Sequence, residues 1–413
     1  MSPQEKTPAT LPWLTDEFLQ KILRDAGGHE TTVVTSSDIK PMAGGGDNYL
    51  STMYRVSVKT KDKEEAVSTI SLVVKLPPSG AEMMKLIANS SAFLTEIKLL
   101  SDILPKMFSL LRETSPEEQE EFGAKCFYAK NTMPYVLIME DLASKGFRMA
   151  ERQKGLDLRH SIVVMRSLAR YHATAIALHK RDPALVESFE ENFYTDSRGF
   201  VSNATLPMLR SLAEVVRSWP GFGDDYRGRL LKRADTIYDD VMELMKPEGN
   251  AFNVLNHGDL WVNNMLFRYE EVTGEVRDVK FVDFQLCRYM SPGIDLQYFI
   301  HTSVAEEIRA ERVGDLLREY HKTLCATLED LRCADSIITF QELVDEYERK
   351  ALFGFFVTTM ILPILLSDPD TIFNPEQSHQ KEDEAIVTKR ISNIHFTTVL
   401  KRLLPIYAKK NFF

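Results

Sequence analysis

The sequence predicts an α+β protein of two lobes, a small strand-rich N-terminal lobe and a mostly helical C-terminal lobe, with a cleft between them. Three observations support this prediction. Runs rich in β-branched residues, separated by turn signals, occupy residues 31–140. Helical patterns fill most of the chain after Leu142, and one strand-rich segment, residues 252–284, interrupts them. We therefore place the lobes at residues 1–141 and 142–413.

The N-terminal lobe is predicted to be a small antiparallel sheet with one helix. Runs such as YLSTMYRVSVKT and VSTISLVVKL are separated by turn signals, and two further strands, KCFYAKN and YVLIME, close the region. The helix is expected at residues 80–104, where apolar residues recur near helical spacing. Pro105 is expected to end it.

The C-terminal lobe is predicted to contain six long helical segments, at residues 156–178, 204–218, 225–246, 303–331, 341–366 and 383–407. The longest apolar run, residues 351–366, is short for a bilayer span and contains Pro363. We therefore interpret this run as a core helix.

Composition and charge narrow the class of protein. The 413 residues are 44% hydrophobic and carry a formal net charge of −10, which argues against nucleic acid or anionic membrane as a partner. The four cysteines are widely spaced and lack zinc-site spacing, so they are expected to be buried thiols in a reducing compartment. The N-terminal residues lack the order of a signal peptide. We expect a cytoplasmic monomer without a membrane span.

Polar residues concentrate in the segment HGDLWVNN, residues 257–264, which follows NVLN and precedes the apolar triplet MLF. Residues 265–269 and 276–282 can pair as a hairpin around a turn that contains Gly274. This pairing would bring Asp283 beside Asp259 and Asn264. Carboxylate and amide oxygens suit a hard cation such as Mg²⁺, so the sequence predicts a magnesium site here.

The HGDxxxxN segment, followed by a strand that ends in an acidic residue, resembles the catalytic loop and metal-binding segment of the protein-kinase-like superfamily. Within it, the similarity is to the aminoglycoside phosphotransferases and choline kinases, because Gly258 stands where protein kinases place arginine. That arginine normally reads a phosphorylated activation loop. The resemblance therefore implies a bilobal kinase-like fold without such a switch.

The resemblance implies a role for each polar residue of the segment. Asp259 would orient the substrate hydroxyl and accept its proton, while Asn264 and Asp283 would hold Mg²⁺ across the phosphates of ATP. His257 would brace the loop. Asn263 adjoins the metal ligand, and Asn264 is preferred because it lies five residues after Asp259, as the family spacing requires.

The N-terminal lobe supplies the other expected parts in the expected order. The strand LVVKL carries Lys75, which would contact the α- and β-phosphates, and the helix FLTEIKLL carries Glu96, which would pair with Lys75. Read singly, either residue would more often be an ordinary solvated side chain. Their ordered occurrence before the HGD segment favours the functional reading.

The same resemblance implies two segments that would contact the nucleotide. The segment LIMEDL would bind adenine through its backbone around Glu140 and Leu142. The loop GGGDNYLS would cover the phosphates, with Gly46, Asn48 and Ser51 as candidate contacts. This loop departs from the GxGxxG pattern, so a flexible hairpin turn is an equal alternative.

A finer resemblance is to the ecdysteroid-kinase-like proteins, which are also described by a choline-kinase-like domain. It is carried by NYLSTMYRV, FLTEIKLL, VLNHGDLWVNNMLF and VDFQLCRYMSPGIDLQYFI, which together extend from Asn48 to Ile300. Asp295 matches a position that hydrogen-bonds the catalytic loop in the superfamily. The resemblance implies ATP, Mg²⁺ and a hydroxylated small-molecule acceptor, such as an ecdysteroid or a hydroxylated xenobiotic.

Three other functions agree less well with the sequence. A pseudokinase or nucleotide-binding module is disfavoured because Lys75, Glu96, Asp259, Asn264 and Asp283 are all present. A metal-dependent hydrolase would leave Lys75 and Glu96 unexplained. A protein kinase is disfavoured by Gly258, by glutamine in place of the last DFG residue and by the lack of an APE-like segment.

Overall fold

Five antiparallel strands form the sheet of the N-terminal lobe in the computed structural model, namely β1 (Val33–Pro41), β2 (Thr52–Lys61), β3 (Val67–Leu76), β4 (Cys126–Lys130) and β5 (Val136–Glu140). Their spatial order is β1-β2-β3-β5-β4. Burial alternates along β2, where Val56 and Val58 are buried, whereas β3 is exposed at its start and buried from Leu72 to Lys75. The predicted small antiparallel sheet is confirmed.

The structure describes residues 11–27, 31–42, 51–78, 91–114, 116, 121–189, 198–246, 252–367 and 384–413. For residues 198–206 and 384 it describes the backbone alone.

A helix that the sequence analysis did not identify, α1 (Asp16–Asp25), packs beside the sheet. Its buried residues Leu19, Ile22 and Leu23 belong to the core of the N-terminal lobe. The Thr15 side chain caps the helix by accepting a hydrogen bond from the backbone N–H of Phe18. A threonine followed by acidic residues is a recognisable start signal for a helix.

The helix predicted at residues 80–104 differs from expectation at its end. The described part consists of α2 (Ala92–Lys98), a π-helical turn (Leu99–Ile103) and α3 (Leu104–Thr114), so the helical path continues beyond Pro105. The expectation that Pro105 ends the helix is therefore wrong. The wider π turn ends at Ile103, two residues before Pro105. Pro105 has no backbone N–H, so it cannot donate the normal helical hydrogen bond to the preceding turn. Pro105 then occupies the first turn of α3, which tolerates proline.

The C-terminal lobe is mostly helical, as predicted. Its helices are α4 (Leu158–Arg181), α5 (Pro183–Glu187), α6 (Arg198–Arg217), α7 (Gly223–Ala234), α8 (Ile237–Leu244), α9 (Gly293–Thr302), α10 (Glu306–Glu311), α11 (Val313–Asp330), α12 (Phe340–Arg349), α13 (Ala351–Phe356), α14 (Leu362–Leu365), α15 (Glu384–Ile391) and α16 (Ile394–Lys409). The first two predicted segments are single helices, and the other four are each divided.

The apolar run at residues 351–366 lies in the core, as expected. It comprises α13, a π-helical turn (Val357–Ile361) and α14, and most of its side chains are buried. Again a π turn precedes a proline, Pro363, at the start of the next helix. Across the described part of the chain, no helix is both long and apolar enough to cross a membrane.

The strand-rich segment inside the C-terminal lobe contains the predicted hairpin, formed by β8 (Met265–Tyr269) and β9 (Val276–Phe281). A short strand β6 (Arg148–Met149) pairs with β8. Two further strands, β7 (Val254–Asn256) and β10 (Arg288–Met290), pair with each other on either side of the hairpin in sequence. These two pairings were not predicted, because strands of two or three residues give almost no periodic pattern.

The hydrophobic cores show which elements pack together. One core lies between α1 and the sheet. A much larger core contains the C-terminal helices and also includes Phe93, Ile97, Leu100 and Leu104 from α2, the π turn and α3. The helix that carries Glu96 thus packs into the helical body of the protein. The proposed division at residues 141 and 142 stays a prediction.

Candidate active site

Lys75 lies near the end of β3 and its side chain is buried between two carboxylates. Its Nζ is 2.7 Å from Glu96 Oε2 and 2.7 Å from Asp283 Oδ1. Burial alone would lower the pKa of Lys75, but the negative charges of Asp283 and Glu96 outweigh it and raise this pKa above its ordinary value. The lysine is therefore a permanent cation where β3, α2 and the end of β9 meet.

Glu96 lies on the buried face of α2 and is only 1% exposed. Besides Lys75, its Oε2 accepts a hydrogen bond of 3.4 Å from Gln285 Nε2. Gln285 lies in the short 3₁₀ turn Phe284–Leu286 that follows Asp283. The glutamine that replaces the usual DFG glycine therefore ties this segment to the helix that carries Glu96.

The segment His257–Asp259 adopts a tight turn that requires glycine. Gly258 has φ +82°, and a Cβ added to it would lie 2.0 Å from the carbonyl oxygen of Leu286. Asp295, at the start of α9, accepts backbone hydrogen bonds from His257 N at 2.7 Å and from Gly258 N at 2.9 Å. The turn is thus fixed from two sides.

Asp295 is itself held in a buried polar network. His172 Nε2 lies 3.2 Å from Asp295 Oδ2, and the hydroxyl of Tyr320 donates to His172 Nδ1 at 2.7 Å. Asn256 Oδ1 accepts a hydrogen bond from the backbone N–H of Asp295. The geometry agrees with the supporting position expected for Asp295, and it places His172 in a hydrogen bond between helices.

We expect Gly258→Ala to lower the free energy of unfolding by about 2–5 kcal/mol, since it combines a left-handed conformation with overpacking against Leu286. Urea denaturation monitored by circular dichroism measures this change. Gly228→Ala is the matched control, because nothing lies within 4 Å of its added Cβ and its φ is not positive. Equal stability of the two variants would contradict the expectation.

Asp259 accepts hydrogen bonds from three neighbouring side chains. The hydroxyl of Tyr298 donates to Oδ1 at 2.6 Å, Asn264 Nδ2 donates to Oδ2 at 2.9 Å, and the indole of Trp261 is a third donor. Burial raises the pKa of Asp259 to about 6, with Asp283 adding to the rise and the three donors opposing it. Asp259 is thus a fixed carboxylate poised to gain or lose a proton near neutral pH.

Asp283 and Asn264 present oxygens that remain available to a cation. Asn264 donates its amide nitrogen to the carbonyl oxygen and to Oδ2 of Asp259, which leaves its own amide oxygen free of these bonds. Asp283 contacts Lys75 through Oδ1 alone. Asp283 is also a non-glycine residue in the left-handed region, with φ +63°. Such strain is typical of functional positions, and the oxygen donors fit Mg²⁺.

His257 is a fully buried brace and is not oriented as a base. Its Nε2–H donates to the carbonyl oxygen of Val282 at 3.0 Å, and its Nδ1 accepts from the backbone N–H of Asp259 at 3.3 Å. Burial lowers the pKa of His257, which keeps the ring neutral and suits both hydrogen bonds. The ring thereby links the segment before β8 to the end of β9.

A cleft of about 420 Å³ runs between the sheet and the hairpin β8–β9. It is lined by Lys75, Glu96, Glu140, Leu142, Asn263, Asn264 and Asp283, among others. The volume lies within the usual range for a ligand pocket. The candidate phosphate, metal and adenine contacts from both halves of the chain therefore share one cavity.

Of the predicted glycine-rich loop, residues 44–51, the structure describes only Ser51. Gly46 and Asn48 lie outside the described residues. Ser51 directly precedes β2 and is half-buried, but it is not among the described residues that line the cleft. Its proposed phosphate contact stays a prediction.

Three residues near the site, Tyr298, Trp261 and Arg55, were missed by sequence reasoning. Tyr298 and Trp261 bind Asp259, and Arg55 pairs with Asp141 at the edge of the cleft. Trp261 stands two residues after Asp259, so its proximity was available as a signal. Tyr298 and Arg55 reach the site only through tertiary packing, and no local pattern marks them.

Comparison with known proteins gives two matches. A model of the ecdysteroid kinase-like family matches residues 45–333, which is more than half of the chain. A segment of 60 residues is 35% identical to 4-hydroxytryptamine kinase from Psilocybe cyanescens. This segment is 14% of the chain and 17% of the relative, so the chain spans about a sixth of the length of that relative.

Proposed function

This chain belongs to the ecdysteroid kinase-like family, and we propose that it is a small-molecule kinase that transfers the γ-phosphate of ATP to the hydroxyl of an organic alcohol. The observation that supports this proposal most is the meeting of Lys75, Glu96 and Asp283 at 2.7 Å contacts in one cleft. A lysine held by Glu96 of its own lobe and by Asp283 of the other lobe suits the binding of a polyphosphate beside a cation.

The proposed chemistry consists mainly of positioning. The backbone of Glu140 and Leu142 would receive the adenine edge, and Lys75 would contact the α- and β-phosphates. Asp259 would hold the acceptor hydroxyl in line with the γ-phosphate. It would take up the hydroxyl proton as the new P–O bond forms and the bond from the γ-phosphorus to the bridging oxygen breaks, with ADP as the leaving group. Tyr298 and Asn264 would keep the carboxylate in the required orientation.

Magnesium, when bound, would neutralise charge on the transferring phosphate. Asn264 and Asp283 are the proposed ligands, because each retains an oxygen outside its protein contacts. A two-oxygen protein site is typical of Mg²⁺ bound with phosphate oxygens and water.

We propose a hydroxylated small molecule as the acceptor, with an ecdysteroid or a hydroxylated xenobiotic as the first candidates. The family description refers to ecdysteroids, and the matching relative is described as acting on 4-hydroxytryptamine, another hydroxylated small molecule. A neutral or apolar acceptor would need little charge complementarity from the protein. Recognition would then depend on the shape of the C-terminal lobe.

The test is incubation of the purified chain with ATP, Mg²⁺ and a panel of hydroxylated steroids and xenobiotics. Mass spectrometry should detect a phosphate ester of at least one acceptor, formed in the same amount as ADP. Phosphate release without an ester would favour a hydrolase, and nucleotide binding without turnover would favour a pseudokinase. Labelling of generic proteins by ATP would favour a protein kinase.

The raised pKa of Asp259 predicts how activity depends on pH. A base must be deprotonated, so kcat/KM should rise with pH through an inflection near pH 6. Tyr298→Phe removes a hydrogen bond that lowers this pKa and should shift the inflection to higher pH. Because ATP ionises in the same way with both enzymes, the difference between their pH–rate profiles isolates Asp259. Identical profiles would contradict the assignment.

A further inference from the structure

An ion pair between Arg55 and Asp141 spans the edge of the cleft, from strand β2 to the segment that follows β5. Arg55 Nε is 2.7 Å from Asp141 Oδ2, and Nη2 is 3.4 Å from Oδ1. The Arg55 side chain is 43% exposed, whereas that of Asp141 is 7% exposed. Neither residue has a part in the mechanism proposed above.

The strand register places Arg55 on the face of the sheet that forms the cleft. Arg55 lies opposite Val73 and Met53 lies opposite Lys75 in the pairing of β2 with β3, and directly opposed residues share one face of a sheet. Lys75 faces the cleft through its contact with Asp283. Because side chains alternate along a strand, Arg55 faces the same space as Met53.

Asp141 holds the guanidinium in a fixed direction. Its carboxylate also accepts hydrogen bonds from Ser71 Oγ at 2.7 Å and from the backbone N–H of Ala143 at 3.2 Å. Asp141 is the middle residue of the segment 140–142, which we propose binds the edge of the base. The guanidinium of Arg55 is therefore held beside the position where the base would lie.

Apolar side chains line much of the cleft near this pair. Leu266, Phe147 and Met149 are among them, and Val73 is paired with Arg55 in the neighbouring strand. A cleft with several apolar side chains suits a flat ring that is hydrogen-bonded along its edge.

A guanidinium group is planar and weakly hydrated, and it stacks on aromatic faces better than an ammonium group does. Asp141 neutralises its charge, so the pair adds no net field beside an uncharged base. We propose that the Arg55 guanidinium stacks on the base of the bound nucleotide and gives the cleft an affinity that depends on the base. This inference rests on the proposed function, and it adds a binding residue to the nucleotide site.

Calorimetric titration of the full chain separates contacts to the base from contacts to the phosphates. The ligands are ADP and inorganic tripolyphosphate, each with Mg²⁺, and the proteins are the wild type, Arg55→Ala and Arg55→Lys. We expect both variants to bind ADP about 3- to 30-fold more weakly than the wild type, since each loses the planar cation. Their affinity for tripolyphosphate should equal that of the wild type.

Two controls address structure. Arg159→Ala removes an exposed arginine of the ion pair with Glu275, away from the cleft, and should leave both affinities unchanged. Arg55→Lys keeps a positive charge beside Asp141, so we expect this variant to fold even if Arg55→Ala fails to fold. Thermal melting of each variant shows which ones are folded.

An equal loss of affinity for ADP and tripolyphosphate would make Arg55 a phosphate ligand and would overturn the proposal. Unchanged affinity for ADP in both variants would leave the ion pair with a structural role alone, which also overturns it. A wild type that binds ADP but yields no phosphate ester would overturn the proposed function and not this inference. A wild type that binds no ADP would overturn both.

Discussion

Asp259→Asn should lower kcat for phosphate transfer by about 10²–10⁴-fold, because an amide cannot take up the proton of the acceptor hydroxyl. The remaining side-chain oxygen can still accept the hydrogen bond from Tyr298. Asn264 loses its bond to Oδ2 but keeps its bond to the backbone carbonyl oxygen of residue 259, which should hold the loop. Affinity for ADP should change little, since the nucleotide contacts proposed for Lys75, Glu140 and Leu142 remain. Single-turnover measurement of ester formation, with ADP binding by calorimetry, checks both parts.

The matched control is Asp278→Asn, which makes the same chemical change in strand β9. Asp278 forms a half-buried pair with Arg268 and does not line the described part of the cleft. It should retain wild-type kcat after correction for the folded fraction. If Asp259→Asn keeps more than a tenth of the wild-type kcat, Asp259 is not the base and the role assigned to it fails.

Lys75→Met is expected to have the largest combined effect on stability and nucleotide binding. Removing the lysine leaves Glu96, which is 2% exposed at its side chain, as an uncompensated buried carboxylate next to Asp283. Breaking a buried ion pair in this way costs about 3–5 kcal/mol. The variant should also lose measurable ADP binding, because the proposed phosphate contact is gone. Urea denaturation and calorimetry are the two measurements.

A second substitution distinguishes loss of charge balance from loss of packing. Lys75→Met combined with Glu96→Gln should recover part of the lost stability, since the buried position 96 then carries no charge and Asp283 is 33% exposed to solvent. The nucleotide affinity should stay low. Lys61→Met is the control, because its pair with Glu65 is exposed and should contribute little. Failure of the double variant to recover stability would show that the penalty does not arise from Glu96.

Sequence patterns predicted the fold class and the hairpin that precedes Asp283, and the reasons are local. Alternating strands, long helices and a hairpin with Gly274 in its turn are all short-range signals. Asn264 directly precedes β8 and Asp283 follows β9, so the pairing of these two strands predicts that the two residues lie close together. The roles of these residues stay proposals.

The features that were missed depend on long-range packing. Tyr298 reaches Asp259 only because α9 is anchored under the loop by Asp295, and nothing around Tyr298 in the sequence marks this contact. Pro105 was interpreted as a helix end, yet a π turn accommodates it. In each case the tertiary environment decides the outcome of a weak local preference.

The packing of α2 has a consequence for any movement of the sheet relative to the helical core. α2 packs into that core, and Asp283 follows β9, whose Phe281 belongs to the same core, whereas Lys75 lies on β3 of the sheet. A swing of the sheet away from this core would separate Lys75 from Glu96 and Asp283, whereas a swing of α2 alone would disrupt its packing. The same movement of the sheet would therefore expose the part of the cleft beside Lys75 and break both contacts of this lysine. A polyphosphate that contacts Lys75 and, through a cation, also Asp283 would bind both sides of the cleft at once, and it would therefore shift the population toward the closed form.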